Sequence, residues 1–443
     1  MEPEELAGAL KRLAEWAEEH APEPEPAVRR RLREHLERDP RELPIVSRAL
    51  AAWDRPNFQV AIDAWCAGRD HGVVGLPVMQ GYRAGLSELV GGQEWLGRLQ
   101  PGAVERVAVP LGEHESISCV QSGFWLVREE SGPLVVMLKA MDRGMGETLA
   151  LEVMATDRAR AEAVVVELSA LMRERNVYRG RILELGSRYF HDDEGAPLTV
   201  RTLPAISRDR IVLPEGVLER VERHAFAVAT HADRLKASGR HLRRGLLLHG
   251  PPGTGKTLTA MYLAAQMPGR TVVLLTGQSL GAVGPSIDLA TALQPAMVVL
   301  EDVDLVAMDR EFEPTNAILF ELLNGMDGLD EDHDVMFVLT TNRPDLLEPA
   351  LASRPGRIDE AVELPLPDPE GRRRLLELYG EGLELTVADD EPLIAALEGV
   401  SPAFIRELLR RAALIAADES DGPLRVTPQQ LEVALQQLRL AAL

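Results

Sequence analysis

Apolar positions along the chain follow two different periods, and the places where the period changes divide it. Leu6, Ala9, Leu10, Leu13 and Ala17 form one stripe behind an acidic first turn, which predicts an amphipathic helix over residues 3–20. Alternating proline and glutamate in Ala21-Pro22-Glu23-Pro24-Glu25-Pro26 then favour a stiff, extended break. Helical patterning resumes to about Arg38 and again from Pro44 to Trp53, so residues 1–100 read as a mainly helical N-terminal region. The character changes after residue 100. Val104–Val109, Gly123–Arg128, Leu134–Leu138 and Leu149–Ala155 read as strands, and Arg158–Arg175 as a helix through Ala161, Val164, Val165, Leu168 and Leu171. With a further strand at Val177–Leu183, residues 101–200 read as an α+β module suited to binding a partner.

From residue 205 strand and helix alternate. The predicted strands are Leu246–Leu248, Thr271–Leu275, Met297–Leu300 and Val335–Thr340, and the predicted helices Thr257–Gln266, Ser286–Leu293 and Thr315–Met326. This rhythm predicts an α/β fold with a mostly parallel sheet over 205–367. Met297-Val298-Val299-Leu300 is apolar throughout, as a strand covered on both faces must be. Residues 368–443 are patterned as helices only and predict a separate small C-terminal domain.

Charge narrows the function classes. Seventy Asp and Glu against 48 Lys and Arg leave a net charge of −22, which disfavours nucleic acid and anionic membrane as partners. Arg29, Arg30, Arg31 and Arg33 are the best candidate for a local basic patch, but Glu34 and Glu37 stand four residues after Arg30 and Arg33, which predicts a solvated, ion-paired helix face. Cys66 and Cys119 make neither a disulfide framework nor a zinc motif, and a reducing compartment is expected. No apolar run reaches the ~18 residues of a membrane span and the N-terminus is acidic, so a cytoplasmic location with no membrane span is expected. His191-Asp192-Asp193-Glu194-Gly195 reads as a solvated loop, and Trp16, Trp53, Trp65 and Trp95 as core or interface anchors.

The candidate chemistry begins at Gly250-Pro251-Pro252-Gly253-Thr254-Gly255-Lys256-Thr257, between a predicted strand and a predicted helix. Glycines at these positions let the backbone turn tightly and approach a phosphate, and the helix that follows adds its positive end. Gly250 through Leu258 are therefore the candidate ATP-binding residues, with Lys256 reaching the β- and γ-phosphates and the Thr257 hydroxyl ligating Mg²⁺. A second element supplies acid. The strand Met297–Leu300 runs into Glu301-Asp302-Val303-Asp304, which places carboxylates at the C-terminal edge of a parallel sheet, where ligands bind. One carboxylate supports the metal and another polarises the attacking water.

With these motifs in this order, residues 205–430 resemble the AAA family of AAA+ ATPases. Val338-Leu339-Thr340-Thr341-Asn342-Arg343-Pro344 resembles the family's sensor-1 strand, which implies that Asn342 holds the attacking water. Leu351-Ala352-Ser353-Arg354-Pro355-Gly356-Arg357-Ile358-Asp359 resembles the second region of homology, which implies that Arg354 and Arg357 are arginine fingers acting on a neighbouring subunit. The resemblance thus implies a homo-oligomeric ring, most often a hexamer, acting on a protein substrate that the sequence does not name. It also makes Glu301 the Mg²⁺-supporting acid and Asp302 the catalytic one, in the inverse of the usual Asp-Glu order. That inversion, and the layout of an α+β module followed by Val177-Tyr178-Arg179-Gly180 and Arg244-Gly245-Leu246-Leu247-Leu248-His249-Gly250, is similar to the mitochondrial AAA ATPases that translocate a folded protein into respiratory complex III. Leu280-Gly281-Ala282-Val283-Gly284, at the pore-loop position, has no aromatic side chain to grip a threaded peptide. Gly399-Val400-Ser401-Pro402-Ala403-Phe404-Ile405 resembles the sensor-2 segment of the helical lid, and also reads simply as a helix start with proline in its first turn. The expected activity is ATP hydrolysis coupled to remodelling or moving a protein partner. A slow nucleotide-dependent assembly switch is the alternative, because Asp302 is one methylene shorter than glutamate. A nucleic-acid motor is disfavoured by charge.

Overall fold

The computed structural model describes residues 25–77, 84–91, 99–142, 147–185, 198–304, 315–328, 333–345, 358–385, 391–419 and 422–441. The helix expected over 3–20, Trp16, Trp95 and the His191–Gly195 loop lie outside them. The chain forms two compact units, one of residues 1–109 and 116–176, the other of 110–115 and 177–443.

The first unit is built on an antiparallel five-stranded sheet. Its strands are β1 (Ile45–Leu50), β2 (Asp70–Gly75), β5 (Gly123–Glu129), β6 (Gly132–Asp142) and β7 (Glu147–Ala155), in the order β1-β7-β6-β5-β2. A small ladder of β3 (Arg106–Pro110) and β4 (Ser116–Val120) accompanies it. Side chains alternate across a strand, so each strand serves two cores. Trp125, Val127, Leu134, Val136 and Leu138 pack against α2 (Arg55–Cys66) and α4 (Arg158–Glu174), and the Phe58 and Trp125 rings meet edge to face at 5.3 Å. Phe124, Leu126, Val135 and Met137 face the other way, onto α1 (Ala27–Leu36) and α3 (Leu86–Gly91). Trp65 is buried here as an anchor, and Cys66 and Cys119 are buried free thiols.

Two expectations change. The segment expected as helix over Pro44–Trp53 is instead strand β1, paired antiparallel with β7 from Ile45↔Met154 to Leu50↔Leu149. Its apolar ends, Ile45, Val46 and Leu50, fit a half-covered edge strand as well as a helix face, and pairing decides between them. With β2 also in this sheet, the described residues of the 1–100 region are not a separate helical region; they share a sheet with the module that follows. The Arg29–Arg33 face is ion-paired as expected but through other partners: Arg33 meets Glu25 at 2.6 Å, Arg31 meets Glu34 at 3.8 Å, and Glu37 meets Arg128 at 2.9 Å.

The second unit holds a seven-stranded sheet in the order β14-β10-β13-β12-β11-β8-β9. The strands are β8 (Ile182–Leu185), β9 (Leu198–Arg201), β10 (Arg244–His249), β11 (Thr271–Leu275), β12 (Ala296–Leu300), β13 (Val335–Thr341) and β14 (Glu360–Glu363). Six run parallel, and β9 closes the edge antiparallel to β8. Strand β8, at the end of the segment assigned from sequence to the 101–200 module, pairs with β11 through Ile182↔Val272 and Leu274↔Glu184. The boundary expected near residue 200 therefore falls at Asn176–Val177. A four-residue strand with two apolar inward positions carries no signal of which sheet will take it. Strands β11, β12 and β13 are buried at every position, as their unbroken apolar runs require.

Helices α5 (Val217–Ala237), α6 (Lys256–Ala265), α7 (Val283–Ala292) and α8 (Thr315–Asp327) belong to this α/β layer structure. The C-terminal lid follows, with α9 (Pro369–Tyr379), α10 (Glu391–Ala396), α11 (Pro402–Glu419) and α12 (Pro428–Ala441) around Leu375, Ile405, Leu408, Leu409 and Leu431. It is helical as expected, apart from a two-residue ladder between β15 (Glu384–Leu385) and β16 (Arg425–Val426). Val212 packs into the lid core while its neighbours Ile211 and Leu213 pack on the sheet, so this short segment ties lid to sheet. Below the sheet, Asp334 receives Arg270 at 2.9 Å and Arg244 at 3.2 Å, holding two buried guanidinium groups between strand starts.

Candidate active site

The site gathers at the C-terminal ends of three adjacent strands. β13 lies between β10 and β12, so whatever follows β13 stands between the loop after β10 and the acids after β12. The loop after β10 is the glycine-rich run. Gly250, Gly253 and Gly255 take φ of 140°, 78° and 95°, where side chains are strained. A Cβ on Gly250 would lie 2.3 Å from the Leu364 carbonyl oxygen, and one on Gly253 would lie 2.9 Å from both Ser401 Oγ and Ala403 Cβ.

Gly255 caps helix α6, and the first intrahelical bond runs from the Thr259 amide to the Gly255 carbonyl at 2.8 Å. The amides of Lys256, Thr257 and Leu258 precede that bond, so they form the open, positive end of the helix. Thr254 is buried and donates its hydroxyl to the Pro251 carbonyl at 2.9 Å, which holds the turn closed. Pro252 and Thr257 are exposed, and Leu258 anchors the helix start to the sheet core. Lys256 is 6% exposed, and its Nζ donates to the Gly250 and Pro251 carbonyls at 2.9 Å each. Burial lowers its pKa, against the pull of the Asp302 and Asp304 carboxylates.

Asp302 adopts φ of +48°, one of two non-glycine residues with positive φ among the described residues. Its amide donates to Thr340 Oγ1 at 2.9 Å, and the next amide, Val303, donates to the Thr340 carbonyl at 3.0 Å. This left-handed turn separates the two acids. Asp302 turns towards β13, where the Asn342 side-chain amide donates to Asp302 Oδ1 at 3.3 Å. Glu301 turns the other way. Its amide donates to the Leu275 carbonyl at 2.9 Å, and its Oε1 is buried with no hydrogen-bond partner. Burial, followed by the Asp302 and Glu184 carboxylates, pushes its pKa up to about 7. An orphaned, buried carboxylate oxygen in an acidic surrounding suits a bound cation, so the chemistry of Glu301 fits the support of Mg²⁺.

Of the residues singled out from sequence, the structure brings together Lys256, Asp302 and Asn342 and sets Glu301 one residue behind them. Arg354 and Arg357 lie outside the described residues. The stretch expected at the pore-loop position, residues 280–284, spans the end of a short 3₁₀ helix, Gly277–Ala282, and the start of α7. Ser401 and Pro402 do start a helix, with Ser401 Oγ accepting from the Phe404 amide at 3.3 Å, and that helix also touches the loop: the Ala403 amide donates to the Gly253 carbonyl at 3.2 Å. Glu360, the first residue of β14, pairs with Arg220. Three residues were missed. Thr340, Thr341 and Asp304 were given no role of their own from sequence. The signal available was the spacing, with two hydroxyls immediately before Asn342 and a carboxylate two residues after Asp302.

A glycine-rich loop between a parallel strand and a helix, with carboxylates one strand beyond its neighbour, defines a P-loop nucleotide-binding domain. Residues 246–366 match the model of the ATPase family associated with various cellular activities (AAA), which makes that stretch an AAA domain. The chain is 33% identical across 188 residues to the 26S proteasome regulatory subunit S10B homolog B of Arabidopsis thaliana, covering 39% of this chain and 47% of that protein. It is 34% identical across 204 residues to the proteasome-activating nucleotidase of Pyrococcus horikoshii, 43% and 51% of the two chains. It is 38% identical across 201 residues to the ATP-dependent zinc metalloprotease FtsH 4 of Sphaerobacter thermophilus, 41% and 30% of the two chains. The chain thus spans about half the length, or less, of the curated relatives it matches. Among the described residues no helix is long and apolar enough to cross a membrane.

Proposed function

We propose that this protein binds ATP with Mg²⁺ at the Gly250–Leu258 loop, hydrolyses it, and couples hydrolysis in a ring of identical subunits to remodelling or translocation of a protein partner. The observation that carries the reading is the meeting of Asp302 and Asn342 at the ends of β12 and β13, with β13 next to the β10 strand that leads into the Lys256 loop. Lys256 gives up two carbonyl contacts to meet phosphate oxygens. Asp302 accepts a proton from the attacking water, which Asn342 orients. Thr257 and Glu301 hold Mg²⁺, which when bound neutralises charge on the phosphates. Arg354 and Arg357 act on the nucleotide of the neighbouring subunit. The first unit recruits the partner, and the relatives named for proteasome regulation and proteolysis favour a protein as that partner.

The direct test is steady-state phosphate release by wild type, Lys256→Ala and Arg357→Ala. Release that falls in both variants supports the reading, and equal release in all three rejects it. A second reading, the slow assembly switch, draws on the short Asp302 side chain. It requires ATP-dependent assembly with turnover that rises sharply in Asp302→Glu.

A further inference from the structure

The Asp302–Asn342 contact depends on a third group. Asp304 is 3% exposed, and its carboxylate is fully engaged on β13. Oδ1 accepts from the Thr341 hydroxyl at 2.9 Å and from the Asn342 amide at 3.1 Å, and Oδ2 faces the Asn342 side-chain nitrogen at 3.5 Å. Thr341 Oγ1 in turn accepts from the Arg343 amide at 3.0 Å. The backbone between Thr341 and Arg343 is therefore pinned from one side by a single buried carboxylate.

A side-chain amide presents a donor at nitrogen and an acceptor at oxygen, and its neighbours decide which way it faces. Here both neighbours of the Asn342 nitrogen, Asp302 Oδ1 and Asp304 Oδ2, are acceptors. Only one of the two amide orientations satisfies them. It leaves the Asn342 oxygen free as an acceptor, beside an Asp302 carboxylate whose second oxygen is not used by Asn342. Two acceptors side by side are what a water molecule needs to be held by both hydrogens while its lone pair points elsewhere.

We propose that Asp304 is a positioning residue for hydrolysis: it fixes the orientation of the Asn342 amide, so that Asn342 and Asp302 together present two acceptors to the attacking water. This rests on the ATPase reading above. Asp304 is buried against Thr341 and Asn342 and acts through them. Its effect is on the chemical step, through Asn342, and not on ATP affinity. Asp304→Asn keeps the shape of the side chain but can place an NH₂ against the Asn342 NH₂, which drives the sensor amide to flip and offer a donor to the water.

The experiment measures the wild type, Asp304→Asn and Thr341→Val by steady-state phosphate release, by equilibrium binding of a fluorescent ATP analogue, and by thermal melting. The expected result for Asp304→Asn is a fall in kcat of about tenfold or more, a range typical for loss of an oriented acid–base group, with analogue Kd within about twofold of wild type. Thr341→Val, which removes only the hydroxyl that helps hold Asp304, is expected to show a smaller fall in kcat at unchanged Kd. It decides the case if Asp304→Asn does not fold. An unchanged kcat in the variants that fold overturns the inference. So does a loss of binding and melting temperature in step with kcat, because that marks a purely structural role. A wild type that releases no phosphate overturns the ATPase reading itself and this inference with it, whereas an active wild type with unaffected variants overturns this inference alone.

Discussion

The side-chain amide of Asn342 donates to Asp302 at 3.3 Å, joining two residues 40 positions apart at the ends of neighbouring strands. The contact forms because Asp302 leaves its strand in a left-handed turn, φ +48°, which aims its carboxylate at β13, while the Glu301 amide still donates to the Leu275 carbonyl of β11. Aspartate tolerates that backbone region better than most residues. The turn thus offers a local reason for a short acid here.

Asp302→Glu is the first consequence. The shorter carboxylate already meets Asn342, and an added methylene carries the oxygens past it and places a less tolerant residue at positive φ. Phosphate release is expected to fall about tenfold or more, within the range for disturbing an oriented base. A gain in turnover would favour the assembly switch.

The loop glycines give a prediction about stability. Gly250→Ala places a Cβ 2.3 Å from the Leu364 carbonyl oxygen at φ 140°. The loop or β14 must shift, at a cost of about 1–3 kcal/mol for a strained backbone position. Urea unfolding should show that loss, whereas Pro252→Ala, at an exposed position of the same loop, should not.

Lid and loop share a contact that can be tested by size. Ala403 Cβ faces Gly253, and its amide holds the Gly253 carbonyl. Ala403→Leu should push the lid helix off the loop and weaken ATP-analogue binding several-fold. Equal affinity in the variant would show that the lid position does not bear on the loop.

Beneath the sheet, Asp334 carries a pH dependence. Burial raises its pKa, but Arg270 and Arg244 outweigh burial and hold it below the usual carboxylate value. A depressed folded-state pKa contributes stability above the unfolded value of about 4, and that stability is lost as pH falls through the folded value. The urea midpoint of wild type should therefore drop below about pH 4 more steeply than that of Asp334→Asn. Asp334→Ala, which leaves two buried guanidinium groups without their carboxylate, should lose about 3–5 kcal/mol at neutral pH.

How much of this was legible in the sequence depended on what each residue answers to. The glycine-rich loop, Lys256 and the acid pair could be read because each follows an apolar run, whereas Asn342 and the division of roles between Glu301 and Asp302 came only from the resemblance to AAA ATPases. Asp304 and Thr341 could not, because their importance is a contact between two strand ends that no local pattern reports. Strand β1 was misread because Ile45, Val46 and Leu50 satisfy a helix face equally well until β7 is present to pair with it. The module boundary was misplaced for a related reason: Ile182 and Leu183 look alike in either sheet, and only pairing with Val272 and Val273 assigns them. The inversion of Glu301 and Asp302 was visible as letters, but its consequence needed the positive φ at Asp302.

The central claim is that the Lys256 loop and the Asp302–Asn342 pair form one hydrolytic site. It is tested most directly by single-turnover hydrolysis with nucleotide pre-bound to wild type and to Asn342→Ala. The account predicts that both bind the ATP analogue with similar affinity and that Asn342→Ala cleaves it on the order of a hundredfold more slowly, as removal of a group that orients the nucleophile should. Equal cleavage rates in the two proteins would contradict it.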